Sequence, residues 1–96
     1  MLTGKQKRHL RALAHHLTPI FQVGKGGVNE NMIQQIKEAL EARELIKVSV
    51  LQNAEEDAED VAVQLGKGAR VEVVQVIGKT IVLYKESREN KKIILP

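Results

Sequence analysis

Ninety-six residues, 43% of them apolar and 28% charged, suit one soluble globular domain and leave no room for a second independent core. Without cysteine the chain has no disulfide framework, thiol nucleophile, iron–sulfur cluster or thiolate zinc site. No apolar run nears the ~18–20 residues of a membrane span, and no hydrophobic stretch follows the basic N-terminus, so neither a span nor a signal peptide is expected.

The net charge of +3 conceals a segregation. Residues 1–29 hold Lys5, Lys7, Arg8, Arg11, Lys25 and three histidines, with no acid. Residues 30–60 hold nine acids against three basic residues, and residues 61–96 hold seven basic residues against three acids. That order predicts one positive and one negative face. Phe21 and Tyr84 are the only aromatic residues, too few for the stacking platforms of common single-strand binders.

Residues 3–17 read as a helix. Gln6, Leu10, Leu13, Ala14 and Leu17 fall on one stripe at helical spacing, with Lys5, Arg8, Arg11 and His15 opposite. Thr18-Pro19 ends it, because proline pushes its predecessor out of the α region. Ile20 to Val23 is a short strand, followed by the loop Gly24-Lys25-Gly26-Gly27. Asn29 caps a second helix whose buried stripe is Met32, Ile33, Ile36 and Leu40 and which ends near Arg43. Leu45 to Leu51 alternates as a half-buried strand. Asn53 caps a third helix, with Glu55, Glu56 and Asp57 in its first turn and Gly66 as its stop.

Arg70 to Ile77 is a valine-rich strand in which Val73-Val74 break the alternation, so it is either buried on both faces or bulged. Gly78-Lys79 makes a hairpin turn into an antiparallel strand, Thr80 to Tyr84. Lys85 to Lys92 reads as a charged, mobile tail ahead of the apolar Ile93-Ile94-Leu95. The order αβαβαββ predicts an α+β fold, a two-layer α/β sandwich with a mixed four-stranded sheet. Both strand–helix–strand crossovers should join parallel neighbours.

The glycine loop carries the most chemistry. Glycines let backbone N–H groups turn toward one point, and the helix behind them presents a partial positive charge. Lys25 adds an ammonium at the tip, which together describes a phosphate site. The same glycines would also serve a tight turn with no ligand, and the loop alone leaves both readings open. A Walker A loop is absent, and a dinucleotide fingerprint fails because Asn29 stands at its third glycine position. His15 and His16 point about 100° apart on a helix, which suits phosphate contact or structure better than one shared metal ion. The acids of residues 55–60 read as partners of a helix dipole, and no nucleophile lies beside a base, so no catalytic residue, metal or cofactor is expected.

Two stretches, Gly4-Lys5-Gln6-Lys7-Arg8-His9-Leu10-Arg11-Ala12-Leu13-Ala14-His15-His16-Leu17 with Pro19, and Gln22-Val23-Gly24-Lys25-Gly26-Gly27-Val28, resemble the CRM domain, named for chloroplast RNA splicing and ribosome maturation. Leu45-Ile46-Lys47-Val48, Val74-Gln75-Val76-Ile77-Gly78-Lys79-Thr80 and Val82-Leu83-Tyr84 extend the likeness over about residues 2–85, nearest to the bacterial single-domain YhbY-like type. The resemblance implies a fold similar to the C-terminal domain of translation initiation factor three, and a protein that associates with precursors of the large ribosomal subunit. It implies RNA contact by Gly24, Lys25, Gly26 and Gly27 and by Lys5, Lys7, Arg8 and Arg11, to which the charge pattern adds His15.

The resulting expectation is a monomeric cytoplasmic binder of structured ribosomal RNA, with no membrane, cofactor or small-molecule substrate. Its rival is a ribosome-associated adaptor that binds protein through an acidic helical face.

Overall fold

The computed structural model describes residues 2–96. Three helices and four strands follow in the order α1 (Gly4–Ala14), β1 (Phe21–Val23), α2 (Glu30–Arg43), β2 (Leu45–Val50), α3 (Ala58–Ala69), β3 (Glu72–Ile77) and β4 (Thr80–Tyr84). The α+β class and the mixed four-stranded sheet are as the sequence predicts.

The strand order is β1-β2-β4-β3. β1 and β2 run parallel, joined through α2, while β4 pairs antiparallel with both β2 and β3. Only the first crossover therefore joins neighbours, contrary to expectation. The hairpin returns β4 into the gap between β2 and β3, where it gains a hydrogen-bonded partner on each side.

Strand alternation divides the core between two faces. Ile46, Val48, Val50, Ile81 and Leu83 face α2 and α3, which contribute Ile36, Leu40, Val61, Ala62 and Leu65. Leu45, Val82 and Tyr84 face the other way, toward Leu10 and Ala14 of α1. The expected two-layer sandwich thus describes α2 and α3 on the sheet, and α1 adds a layer on the opposite face.

Helix ends differ from the sequence reading for local reasons. α1 opens with Thr3 and Gln6 in a reciprocal capping box. It closes at Ala14, short of residue 17, because the His15 N–H is shared between the carbonyls of Arg11 and Ala12 and the turn tightens. Leu13 and Leu17 consequently stay 40% and 38% exposed, which narrows the buried stripe to Leu10 and Ala14. α3 is capped by Asp57, whose carboxylate accepts from the Asp60 N–H at 2.9 Å, and not by Asn53. A turn closed by the Ala54 N–H on the Leu51 carbonyl occupies the residues between.

Gly66 does not stop α3, which runs to Ala69 and ends on Arg70 in the left-handed region. The helical glycines serve packing. A Cβ at Gly68 would stand 2.5 Å from Ile33 Cδ1, so a larger residue there would make the end of the Ile33 side chain shift where α3 packs on α2.

The last segment is engaged, against the expectation of a mobile tail. Glu44 ends α2 at φ 66° with its side chain fully buried. Its carboxylate accepts from the N–H groups of Ser87, Lys92 and Ile93, at 2.8, 2.6 and 2.7 Å. Glu41 accepts from the Ser87 hydroxyl and from the Arg88 and Glu89 N–H groups. Ile93 and Leu95 pack on the α1-side core.

Candidate nucleic-acid interface

The loop between β1 and α2 is a closed turn. The Gly27 N–H donates to the Gly24 carbonyl at 3.0 Å, which places Lys25 and Gly26 at its exposed tip. Of the three glycines only Gly27 has positive φ, 70°. A Cβ at Gly26 would meet nothing within 4 Å, and one at Gly24 would make ordinary contacts with Leu51 and Asn53. The fold therefore requires one glycine here. Gly26 leaves bare backbone facing outward, as close approach by another molecule would demand.

A residue with negative φ followed by a left-handed one turns successive N–H groups to one side, a geometry that suits an anion. The Gly27 N–H is already spent within the turn, so fewer amides remain than the sequence reading supposed. The inner side of the loop is also less favourable than its charge count implied. Glu55 and Glu56 line the small cleft behind it, and Glu56 accepts from the Gln64 side chain. Any phosphate must meet the outer side, at Lys25 and Gly26.

The basic helix stands apart from the loop but on a connected surface. Lys5, Arg8, Arg11 and His15 follow one another at spacings of three and four, so they form one exposed ridge along α1. Lys7 lies off this ridge and is half-buried. α1 covers only part of its sheet face. Beside its C-terminal half a groove of about 440 Å³ opens, bounded by Arg11 and His15 on the helix and by Lys47, Gln75, Ile77 and Thr80 on the sheet.

Lys47 is held at the groove by a 3.0 Å hydrogen bond from its Nζ to the Leu17 carbonyl. Beyond it the same face continues through Ser49 and its register partner Gln22 to the glycine turn. At about 3.3 Å per residue, the four steps from Lys47 to Leu51, which lies level with Gly24, span about 13 Å.

Among the described residues of the four strands, the acid on this face is Glu72, at the far end beside Leu2. The exposed Glu30, Glu38, Glu59 and Asp60 belong to α2 and α3, on the other side of the sheet. The structure thus brings Arg11 and His15 together with Lys47, extends them by Arg8 and Lys5, and leaves Gly24–Gly27 one strand-length away.

Lys47, Gln75, Ile77 and Thr80 escaped the sequence reading. The alternation of β2 marked Lys47 as outward-facing, but nothing local places it beside Arg11. Among the described residues no group of three His, Asp or Glu side chains is placed to hold a metal ion, and no helix is long and apolar enough to cross a membrane.

Comparison with known proteins gives a consistent result. A family model described as the CRS1/YhbY (CRM) domain matches residues 2–85. The chain is 78% identical over 96 residues to the "Probable RNA-binding protein YqeI" of Bacillus subtilis, covering all of both chains. It is 45% identical over 93 residues to a probable RNA-binding protein of Methanocaldococcus jannaschii, covering 95% of this chain and 69% of that one. It is 39% identical over 90 residues to an RNA-binding protein of Haemophilus influenzae, covering 94% and 91%. The solution structure of a hypothetical Staphylococcus aureus protein, for which RNA binding has been put forward, superposes over the full length of both chains with a TM-score of 0.82 at 64% identity.

Proposed function

The chain belongs to the CRS1/YhbY (CRM) domain family, and from that premise we propose that it binds structured RNA through one face, made of the α1 ridge, the sheet beside it and the glycine turn. The observation that carries the reading is the distribution of charge on that face. Lys5, Arg8, Arg11, His15 and Lys47 share it, the acid that its strands carry is Glu72 at the end beside Leu2, and Lys25 stands on the outer side of the glycine turn with Glu55 and Glu56 behind it.

Each part has a distinct role in this reading. The outward amides of the Gly24–Gly27 turn and the Lys25 ammonium grip one phosphate, and the arginines and lysines of α1 line a further stretch of backbone. The acids of α2 and α3 keep the opposite face away from RNA. With so few aromatic residues, recognition rests on phosphate position and RNA shape more than on stacking. The protein acts by binding and not by catalysis. The family resemblance supports ribosomal RNA of the large-subunit precursor as the partner, met in this reading by a monomer in the cytoplasm.

The test is a salt series of binding to RNA extracted from large ribosomal subunits, against a protein-free control. Neutralising about five phosphates predicts that log K falls with log salt at a slope of roughly −3.5 to −4.5. Absence of binding at low salt, or a slope near zero, would refute the reading.

A further inference from the structure

The groove beside α1 has two walls of different chemistry. The wall nearest the helix is cationic, formed by Arg11 of α1 and by Lys47 of β2, whose ammonium is fixed on the Leu17 carbonyl and keeps two N–H donors free, with the His15 ring beside them. The sheet-side wall is neutral. It offers the Gln75 amide, the Thr80 hydroxyl and Ile77, an apolar side chain left 62% exposed.

A β-bulge creates that second wall. The register between β3 and β4 shifts between Val73 and Gln75, so that Gln75 lies opposite Val82 and Ile77 opposite Thr80. Val82 belongs to the α1-side core, which puts Gln75 and Ile77 on the same face as the groove. With unbroken alternation from Val73, Gln75 would point toward α2 and α3 and the apolar Val76 toward the groove. Bulges re-aim side chains next to functional sites, and here the re-aimed group is an amide with both donor and acceptor atoms.

We infer that this groove holds one unpaired nucleotide of the bound RNA, its phosphate toward Arg11, His15 and Lys47 and its base over Ile77 with an edge at Gln75. The inference rests on the RNA reading above and adds a specific subsite to it. A nucleotide pairs an anionic end with a flat, neutral end bearing donors and acceptors, and so matches both walls. Free phosphate would use only the cationic wall, and a base in a duplex would not be free to enter. The groove volume falls within the ~300–1,000 Å³ of small-ligand sites.

The experiment follows backbone amide shifts of the full-length, isotope-labelled protein as adenosine 5′-monophosphate, uridine 5′-monophosphate or inorganic phosphate is added. Shifts at Gln75, Ile77 and Thr80 with the nucleotides but not with phosphate are expected, while Lys47 responds to both. Shifts confined to the glycine turn, no shifts, or equal shifts of those three residues with phosphate would overturn the subsite. In parallel, Gln75→Ala and Ile77→Ala are compared with the unaltered protein on an RNA hairpin with an unpaired loop and on a blunt duplex, with melting measured for each. Each variant should lose about five- to tenfold on the hairpin and little on the duplex. Unchanged hairpin affinity would remove the subsite while leaving RNA binding in place. Failure of the unaltered protein to bind either RNA would remove both.

Discussion

Lys47 donates from its ammonium to the carbonyl oxygen of Leu17 at 3.0 Å, joining β2 to the chain just beyond α1. The bond positions the end of the basic ridge over the open part of the sheet. It also holds a cation at the edge of the groove, where a flexible lysine would otherwise wander.

Lys47→Met retains the aliphatic stem and removes the bond and the charge. Stability should fall by about 1 kcal/mol or less, because the pair is exposed. The salt dependence of RNA binding should flatten by about 0.7–0.9 in slope, the contribution of one phosphate. Calorimetry and a salt-titrated binding assay read the two effects separately, and an unaltered slope would place Lys47 outside the interface.

The glycine turn predicts a separation between fold and binding. Lys25→Ala with Gly26→Asp should weaken RNA affinity while melting stays unchanged, because a side chain at Gly26 meets open space. Gly27→Ala should cost about 1–2 kcal/mol in stability, since φ there is 70°. A Lys25/Gly26 variant that binds RNA normally would reduce the loop to a plain strand-to-helix turn.

Arg8→Ala with Arg11→Ala removes two exposed cations from the ridge without disturbing the packed Leu10 and Ala14. The salt slope should flatten by roughly 1.4–1.8, with circular dichroism unchanged. A slope equal to that of the unaltered protein would show that RNA lies elsewhere.

The C-terminal segment should detach in acid. The Arg88 N–H, the Ser87 hydroxyl and the Glu89 N–H hold the Glu41 carboxyl at about 2, against an ordinary 4.5. Burial alone would raise the Glu44 carboxyl, but the N–H groups of Ser87, Lys92 and Ile93 and the charge of Lys91 outweigh it and keep it below the ordinary value. A carboxyl depressed in the folded state stabilises that state above its unfolded pKa and ceases to do so as pH falls through the folded one. Exchange protection of residues 87–93, corrected for intrinsic rates, should hold above about pH 5 and fall progressively toward pH 2. Protection that is flat across that range would contradict the role of the two carboxylates.

Local patterns revealed the elements and the two ends of the interface, while pairings between distant residues hid the rest. The ridge from Lys5 to His15 repeats within four turns of one helix, and the glycine turn spans four residues, so both were visible in sequence. The groove draws Arg11, Lys47, Gln75 and Thr80 from separate elements, and only the sheet register brings them together. Glu44 gave no local sign of its role because its donors lie 43 to 49 residues away. Asn53 and Asp57 are equally good caps by type. The turn from Leu51 to Ala54 decides between them, and it depends on a loop conformation that no periodicity reports.

The most direct measurement is crosslinking of the protein to RNA in cells, followed by mass-spectrometric identification of the peptides that carry nucleotide. The account predicts attachment within residues 5–15 and 24–27 and at Lys47. Attachment concentrated on the exposed surfaces of α2 and α3 would contradict it.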